Sequence, residues 1–149
     1  MFPPQFIVAE RIGTGLDVQS KKRLLEVLAV YLATALPNMA PEEVFGRFRE
    51  RERLGSTGIG HGIALPHARL RAATQPIGAF VQLTQALDFD AIDGKPVDLA
   101  FALVVPESAT ETHLQLLGHL AGLFDNPDLR EKLRAASDPG EILRHLQPG

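Results

Sequence analysis

Val97-Asp98-Leu99-Ala100-Phe101-Ala102-Leu103-Val104-Val105 is nearly continuous in apolar side chains. A strand with one face in water alternates polar with apolar residues, so this run predicts a strand covered on both faces. The chain must then supply a sheet and two covering layers. Pro76 to Leu83 is a second run carrying Val, Phe and Ile, and Asp93-Gly94 marks a turn between the two.

The covering layers are expected from helices on both sides of this block. Between Ser20 and Leu36 the apolar positions Leu24, Leu28, Tyr31 or Leu32, and Ala35 recur at helical spacing, with Ser20 as N-cap and Pro37 as stop. Pro41 opens a second helix, which carries Glu42 and Glu43 at its start, Arg47, Arg49, Arg51 and Arg53 towards its end, and Leu54-Gly55 as its stop. Ser108-Ala109-Thr110-Glu111 matches a capping box, followed by a stripe of Leu114, Leu117, Leu120 or Ala121, and Phe124. Pro127 to Ala135 and Asp138 to Leu146 read as two shorter helices. Helices bracketing strands give an α/β or mixed α+β class, and 149 residues suit one domain.

Several function classes are disfavoured. With 15 basic against 18 acidic side chains the formal net charge is -3, and backbone binding to nucleic acid needs a basic surplus gathered on one face. Without cysteine there is no disulfide framework, thiolate metal ligand or cysteine nucleophile. The first residues lack the basic start and apolar run of a signal peptide, and no stretch reaches the roughly 18 apolar residues that would span a bilayer. A cytoplasmic protein without membrane insertion is the expectation.

Chemistry concentrates between Arg51 and His67. Gly55-Ser56-Thr57-Gly58-Ile59-Gly60-His61-Gly62 reads as a loop, Ile63-Ala64-Leu65 as a short strand, and Pro66-His67 as an exposed turn. A glycine-rich loop can bring backbone N–H groups up to a phosphate. No Lys-Ser/Thr pair follows the glycines as a nucleotide-binding P-loop requires. Proline before His67 restricts the backbone and would hold one imidazole orientation, although a plain surface turn fits the same residues. His113 falls in the first turns of the third helix, where a neutral ring could stand beside a phosphoryl group; an edge-of-core histidine beside Leu116 and Leu117 fits equally. The arginine run reads as a solvated helix end, from which Arg51 could turn towards the loop and bind phosphate. His61, His119 and His145 have no supporting motif, and no pair has H-E-x-x-H spacing, so neither metal nor cofactor is expected.

The segment from Arg51 to His67 resembles the active-site signature of the type-2 (fructose/mannitol) enzyme IIA domains of the bacterial phosphotransferase system, whose motif closes as Ala64-Leu65-Pro66-His67-Ala68 does here. Position 68 is Ala where Gly is commoner in the family. Phe89 to Leu99, Phe101 to Pro106 and Thr112-His113-Leu114 resemble the nitrogen-related branch. The resemblance covers nearly all of 1–149 as one enzyme IIA domain and implies a mixed β-sheet flanked by helices. It implies that His67 takes a phosphoryl group from a histidine phosphocarrier of the HPr or NPr type, with His113 beside it and Arg51 near the phosphate; Ser56 and Thr57 are candidate supporting donors. An apolar rim for the docking carrier is expected near Ile59 and Leu70. Within the family, the output is either regulation of unidentified partner proteins by phosphorylation state or sugar uptake through a IIB domain. A non-catalytic binding module on the same fold is the alternative from another class.

Overall fold

The computed structural model describes residues 2–147, so Met1, Pro148 and Gly149, the ends of the expected 1–149 domain, lie outside the described residues. The central strand is β6 (Val97–Pro106), preceded by β1 (Ile12–Leu16), α1 (Lys21–Ala33), α2 (Pro41–Arg53), β2 (Gly58–Gly60), β3 (Ile63–Ala64), β4 (His67–Leu70) and β5 (Ile77–Leu87). It is followed by α3 (Thr110–Phe124), α4 (Pro127–Ala135) and α5 (Pro139–Leu146). The sheet runs β1-β5-β6-β3-β2, with β4 also on β6 beyond the end of β3. β5 is antiparallel to β6, whereas β3 and β4 are parallel to it, which makes the sheet mixed.

β6 is covered on both faces, as its composition requires. Ala100, Ala102 and Val104 pack with Leu24, Leu28 and Leu32 of α1 and Val44 and Phe48 of α2. Leu99, Phe101, Leu103 and Val105 pack on the other side with Leu116, Leu120 and Phe124 of α3, Leu129 and Leu133 of α4, and Ile142 and Leu146 of α5. This two-faced burial is the principal favourable contribution to the fold.

Most helix ends follow their sequence signals. Ser20 Oγ accepts from Arg23 N at 3.1 Å, Pro41 occupies the first turn of α2, and Glu43 reaches back to Ala40 N at 3.1 Å. Four expectations are corrected. The Ser108 to Glu111 capping box does not form, because α3 starts one residue later, with Ala109 at the N-cap and no side-chain cap. The buried stripe of α3 is Leu116, Leu120 and Phe124, while Leu114 is exposed. Pro66-His67 is not a plain exposed turn, since His67 is half-buried and begins β4, opposite Leu103. Within the glycine-rich stretch, Gly58–Gly60 forms a short strand antiparallel to β3.

Non-local polar contacts close the remaining gaps. Gln82, buried in β5, donates through Nε2 to Leu133 O at 2.7 Å and Ala136 O at 2.8 Å. Its Oε1 accepts from Gly15 N at 3.0 Å, so one amide joins β1, β5 and the end of α4. Arg134 pairs with Asp98 at 2.9 Å and donates to His61 O at 2.6 Å. Between them passes Gly62 at φ +79°, where a Cβ would lie 2.8 Å from Asp98 Oδ1, so only glycine fits that turn.

Candidate functional site

β4 carries Ala68 and Leu70 into the core with α1 and α2. Alternation along the strand turns His67 and Arg69 to the opposite face. There they meet the start of α3, while the end of α2 brings in Arg51. The rings of His67 and His113 cross edge-on with centroids 5.1 Å apart. Residues distant in sequence thus share a groove of about 470 Å³ lined by Arg47, Arg51, His67, Arg69, His113 and Leu114, among others.

Two contacts set the tautomer of His67. Nδ1 lies 2.8 Å from Leu65 O, and a carbonyl only accepts, so Nδ1 carries the proton. Nε2 is then the lone-pair nitrogen, and it accepts from Arg51 Nε at 3.2 Å. Arg51 is held from behind as well, because Nη1 donates to Gly55 O at 2.9 Å. Burial pushes the His67 pKa below its ordinary value, with Arg51 pushing the same way, while the Leu65 hydrogen bond and Glu52 oppose them. The result is a neutral imidazole with its lone pair facing the groove.

His113 is neutral for related reasons. Burial, then the charges of His67, Arg69 and Arg51, lower its pKa from 6.5 to about 4. Its Nε2 is buried and has no hydrogen-bond partner among the described residues. A buried polar atom left open costs free energy unless a ligand satisfies it. Further donors surround the groove: Arg69 reaches Thr110 Oγ1 at 3.0 Å and Arg47 reaches Arg69 O at 3.2 Å. An anion entering here meets guanidinium groups and a neutral imidazole, the donors suited to a tetrahedral oxyanion.

Of the sequence candidates, His67, His113 and Arg51 come together. Ser56 and Thr57 do not line the groove. Ser56 Oγ donates to Phe89 O at 3.0 Å and accepts from Gly58 N at 3.0 Å, and the Thr57 hydroxyl is bound by Glu52. The apolar rim differs from expectation: Leu70 is 2% exposed and belongs to the core, whereas Leu54 at 83% and Leu114 at 66% stand in the open beside the groove. His61 is exposed in the Gly60–Gly62 turn, its backbone N–H bound to Asp93. His145 pairs with Glu141 at 3.6 Å, and His119 meets Phe2 edge-on. Sequence reading left Arg47 in the solvated helix end and passed over Arg69 and Thr110 as groove residues. The position of Arg69, two residues after His67, would have placed it on the same face once β4 was recognised.

Residues 5–148 match the family described as "Phosphoenolpyruvate-dependent sugar phosphotransferase system, EIIA 2". The chain is 50% identical over 117 residues to a Nitrogen regulatory protein of Pseudomonas aeruginosa, covering 78% of this chain and 76% of that one. The crystal structure of the Nitrogen Regulatory Protein IIA-Ntr from Neisseria meningitidis superposes with a TM-score of 0.91 at 40% identity, covering 95% of this chain and 97% of the other. The chain is also 37% identical over 139 residues to the PTS system fructose-specific EIIABC component of Bacillus subtilis, which is 93% of this chain and 22% of that protein.

Proposed function

The chain belongs to the EIIA 2 family of the phosphoenolpyruvate-dependent sugar phosphotransferase system, and from that membership we propose that it is a histidine phosphoryl carrier with His67 Nε2 as the accepting atom. The observation that carries this reading is the pair of bonds on His67, Nδ1–H to Leu65 O at 2.8 Å and Nε2 facing Arg51 Nε at 3.2 Å. They leave one nucleophilic nitrogen, with a cation already beside it.

The chemistry is an in-line exchange between two histidines. A phosphocarrier of the HPr or NPr type presents its phosphohistidine at the groove. The bond from His67 Nε2 to phosphorus forms as the bond from the donor's nitrogen breaks, and the donor leaves as an imidazole. The His67 ring gives up no proton, because Nδ1–H stays on Leu65 O and disperses the charge gained at Nε2. Arg51 Nε–H passes from the lone pair to a phosphoryl oxygen. His113, protonated on Nε2, donates to a second oxygen and so gains the partner it otherwise lacks.

The output is regulatory. Identities of 50% and 40% to nitrogen regulatory proteins support this side, and the 37% identity to a fructose-specific component keeps sugar uptake as the second reading. Phosphorylation places about two negative charges among Arg51, Arg69 and the start of α3, altering which partners can dock there. The test is to incubate the protein with an enzyme I, a phosphocarrier and labelled phosphoenolpyruvate, then add sugar-specific IIB domains. Acid-labile label should be absent from His67→Ala and should persist on wild type when IIB is added. Label on His67→Ala contradicts the site, and rapid loss to IIB with sugar phosphorylation makes uptake the correct output.

A further inference from the structure

Behind the groove lies a charged cluster that touches none of the reacting atoms. The Glu52 side chain is 7% exposed, and its Oε1 lies 2.9 Å from Lys21 Nζ. Both carboxylate oxygens accept from Thr57 N at 3.2 Å, and Oε2 also takes the Thr57 hydroxyl. Lys21 in turn lies 3.7 Å from Asp90 Oδ2 and 4.7 Å over the Phe89 ring. A carboxylate so far out of water is stable only because three donors from two other segments satisfy it.

The place of this cluster gives it a consequence. Residues 54–57 link the end of α2 to β2 without regular structure. Gly55 sits at φ +148°, with open space where a Cβ would point. Backbone bonds pin its two ends, Leu54 N and Gly55 N donating to Arg51 O at 3.1 Å and Glu52 O at 3.2 Å and Thr57 O accepting from Leu65 N at 2.9 Å, and side-chain anchors add to them. Glu52 grips it at Thr57 and Phe89 O grips it at Ser56. Gly55 O, between α2 and those anchors, is the acceptor that holds Arg51 Nη1 at 2.9 Å. Arg51 therefore takes its aim at His67 from the turn as well as from its own helix.

Resting on the phosphoryl-carrier reading, we infer that Glu52, with Thr57 and Lys21, is a positioning residue: it holds the 54–57 turn so that Gly55 O sets the Arg51 guanidinium against His67 Nε2 before the phosphoryl group arrives. Thr57 then serves the site through Glu52 rather than by contacting phosphate. Rates of in-line transfer fall steeply when an aiming group shifts by a fraction of an ångström to an ångström.

The experiment uses the full chain carrying Thr57→Val, Thr57→Ser or Glu52→Gln. Four quantities are read: the rate of phosphorylation by a charged phosphocarrier, the titration of the His67 ring by nitrogen NMR, the Arg51 Nε–H resonance, and the thermal midpoint. Thr57→Val, which removes the hydroxyl at constant charge, should slow transfer ~10-fold or more. It should also raise the His67 midpoint, because a withdrawn Arg51 no longer opposes protonation. Thr57→Ser should restore both. Glu52→Gln should slow transfer similarly and broaden or lose the Arg51 Nε–H resonance, which gives a second reading if Thr57→Val does not fold. A lowered thermal midpoint with an unchanged rate, an unchanged His67 titration and an intact Arg51 signal would overturn the inference, leaving the cluster a fold anchor only. Should wild type itself take no phosphate, the carrier reading fails, while the His67 titration and the Arg51 signal still decide whether the cluster positions Arg51.

Discussion

If His67 carries a phosphoryl group as proposed, the Nε2 of His113, without a partner among the described residues, is where one of its oxygens would gain most. One such donor is worth about 10²-fold in rate or more, so His113→Ala should accept phosphate on His67 slowly, and stopped-flow transfer at wild-type speed would remove His113 from the site. The same burial makes a prediction for stability. The pKa of His113 falls from 6.5 to about 4 on folding, and that of His67 is also lowered. A histidine kept neutral by folding contributes its full stability above the unfolded value and loses it as pH falls through the folded one. Urea midpoints should therefore decline between about pH 6.5 and pH 4, with Arg51 and Arg69 disfavouring protonation of His113 throughout. His113→Ala should flatten part of that decline; an equally steep curve in the variant would contradict it.

Among the elements, β1, β5 and the end of α4 depend on the amide of Gln82. Gln82→Leu strands two buried carbonyls and takes the partner from the Gly15 N–H at the exposed end of β1, and urea unfolding should show a loss of roughly 2–4 kcal/mol while His67 phosphorylation is kept. Wild-type stability would mean that the three segments hold together without it. Elements that carry their own instructions were legible in sequence. The apolar run of β6 announces two covered faces, and Ser20, Pro41 and Pro127 mark helix starts locally. Elements defined by distant pairing were not. β4 is four residues long and exists through its register with Leu103 to Pro106; β1 contains Gly13 and Gly15 and is held by pairing with β5. The start of α3 was misread by one residue because Ser108 and Glu111 have the right spacing, whereas the observed start places Thr110 against Arg69 and leaves Leu114 outside the core. His67, Arg51 and His113 were nameable from a motif and a family likeness, but the rest of the groove required β4.

As a whole, the molecule gathers local positive charge at one groove although its net charge is -3. Arg47, Arg51 and Arg69 line the groove with Glu50 as their acidic neighbour, and Leu54 and Leu114 stand exposed beside them. Exposed leucines rimmed by charge suit the transient docking that the proposed carrier role would require. The sheet holds His67 in place while the ends of α2 and α3 bring the donors, so each layer contributes one part of the site. The most direct test of this account is nitrogen–phosphorus NMR on uniformly labelled protein after transfer from a charged phosphocarrier. The arrangement predicts one-bond coupling of phosphorus to Nε2 of His67, with a proton still on Nδ1. Coupling to Nδ1 of His67, or to any other histidine, would contradict it.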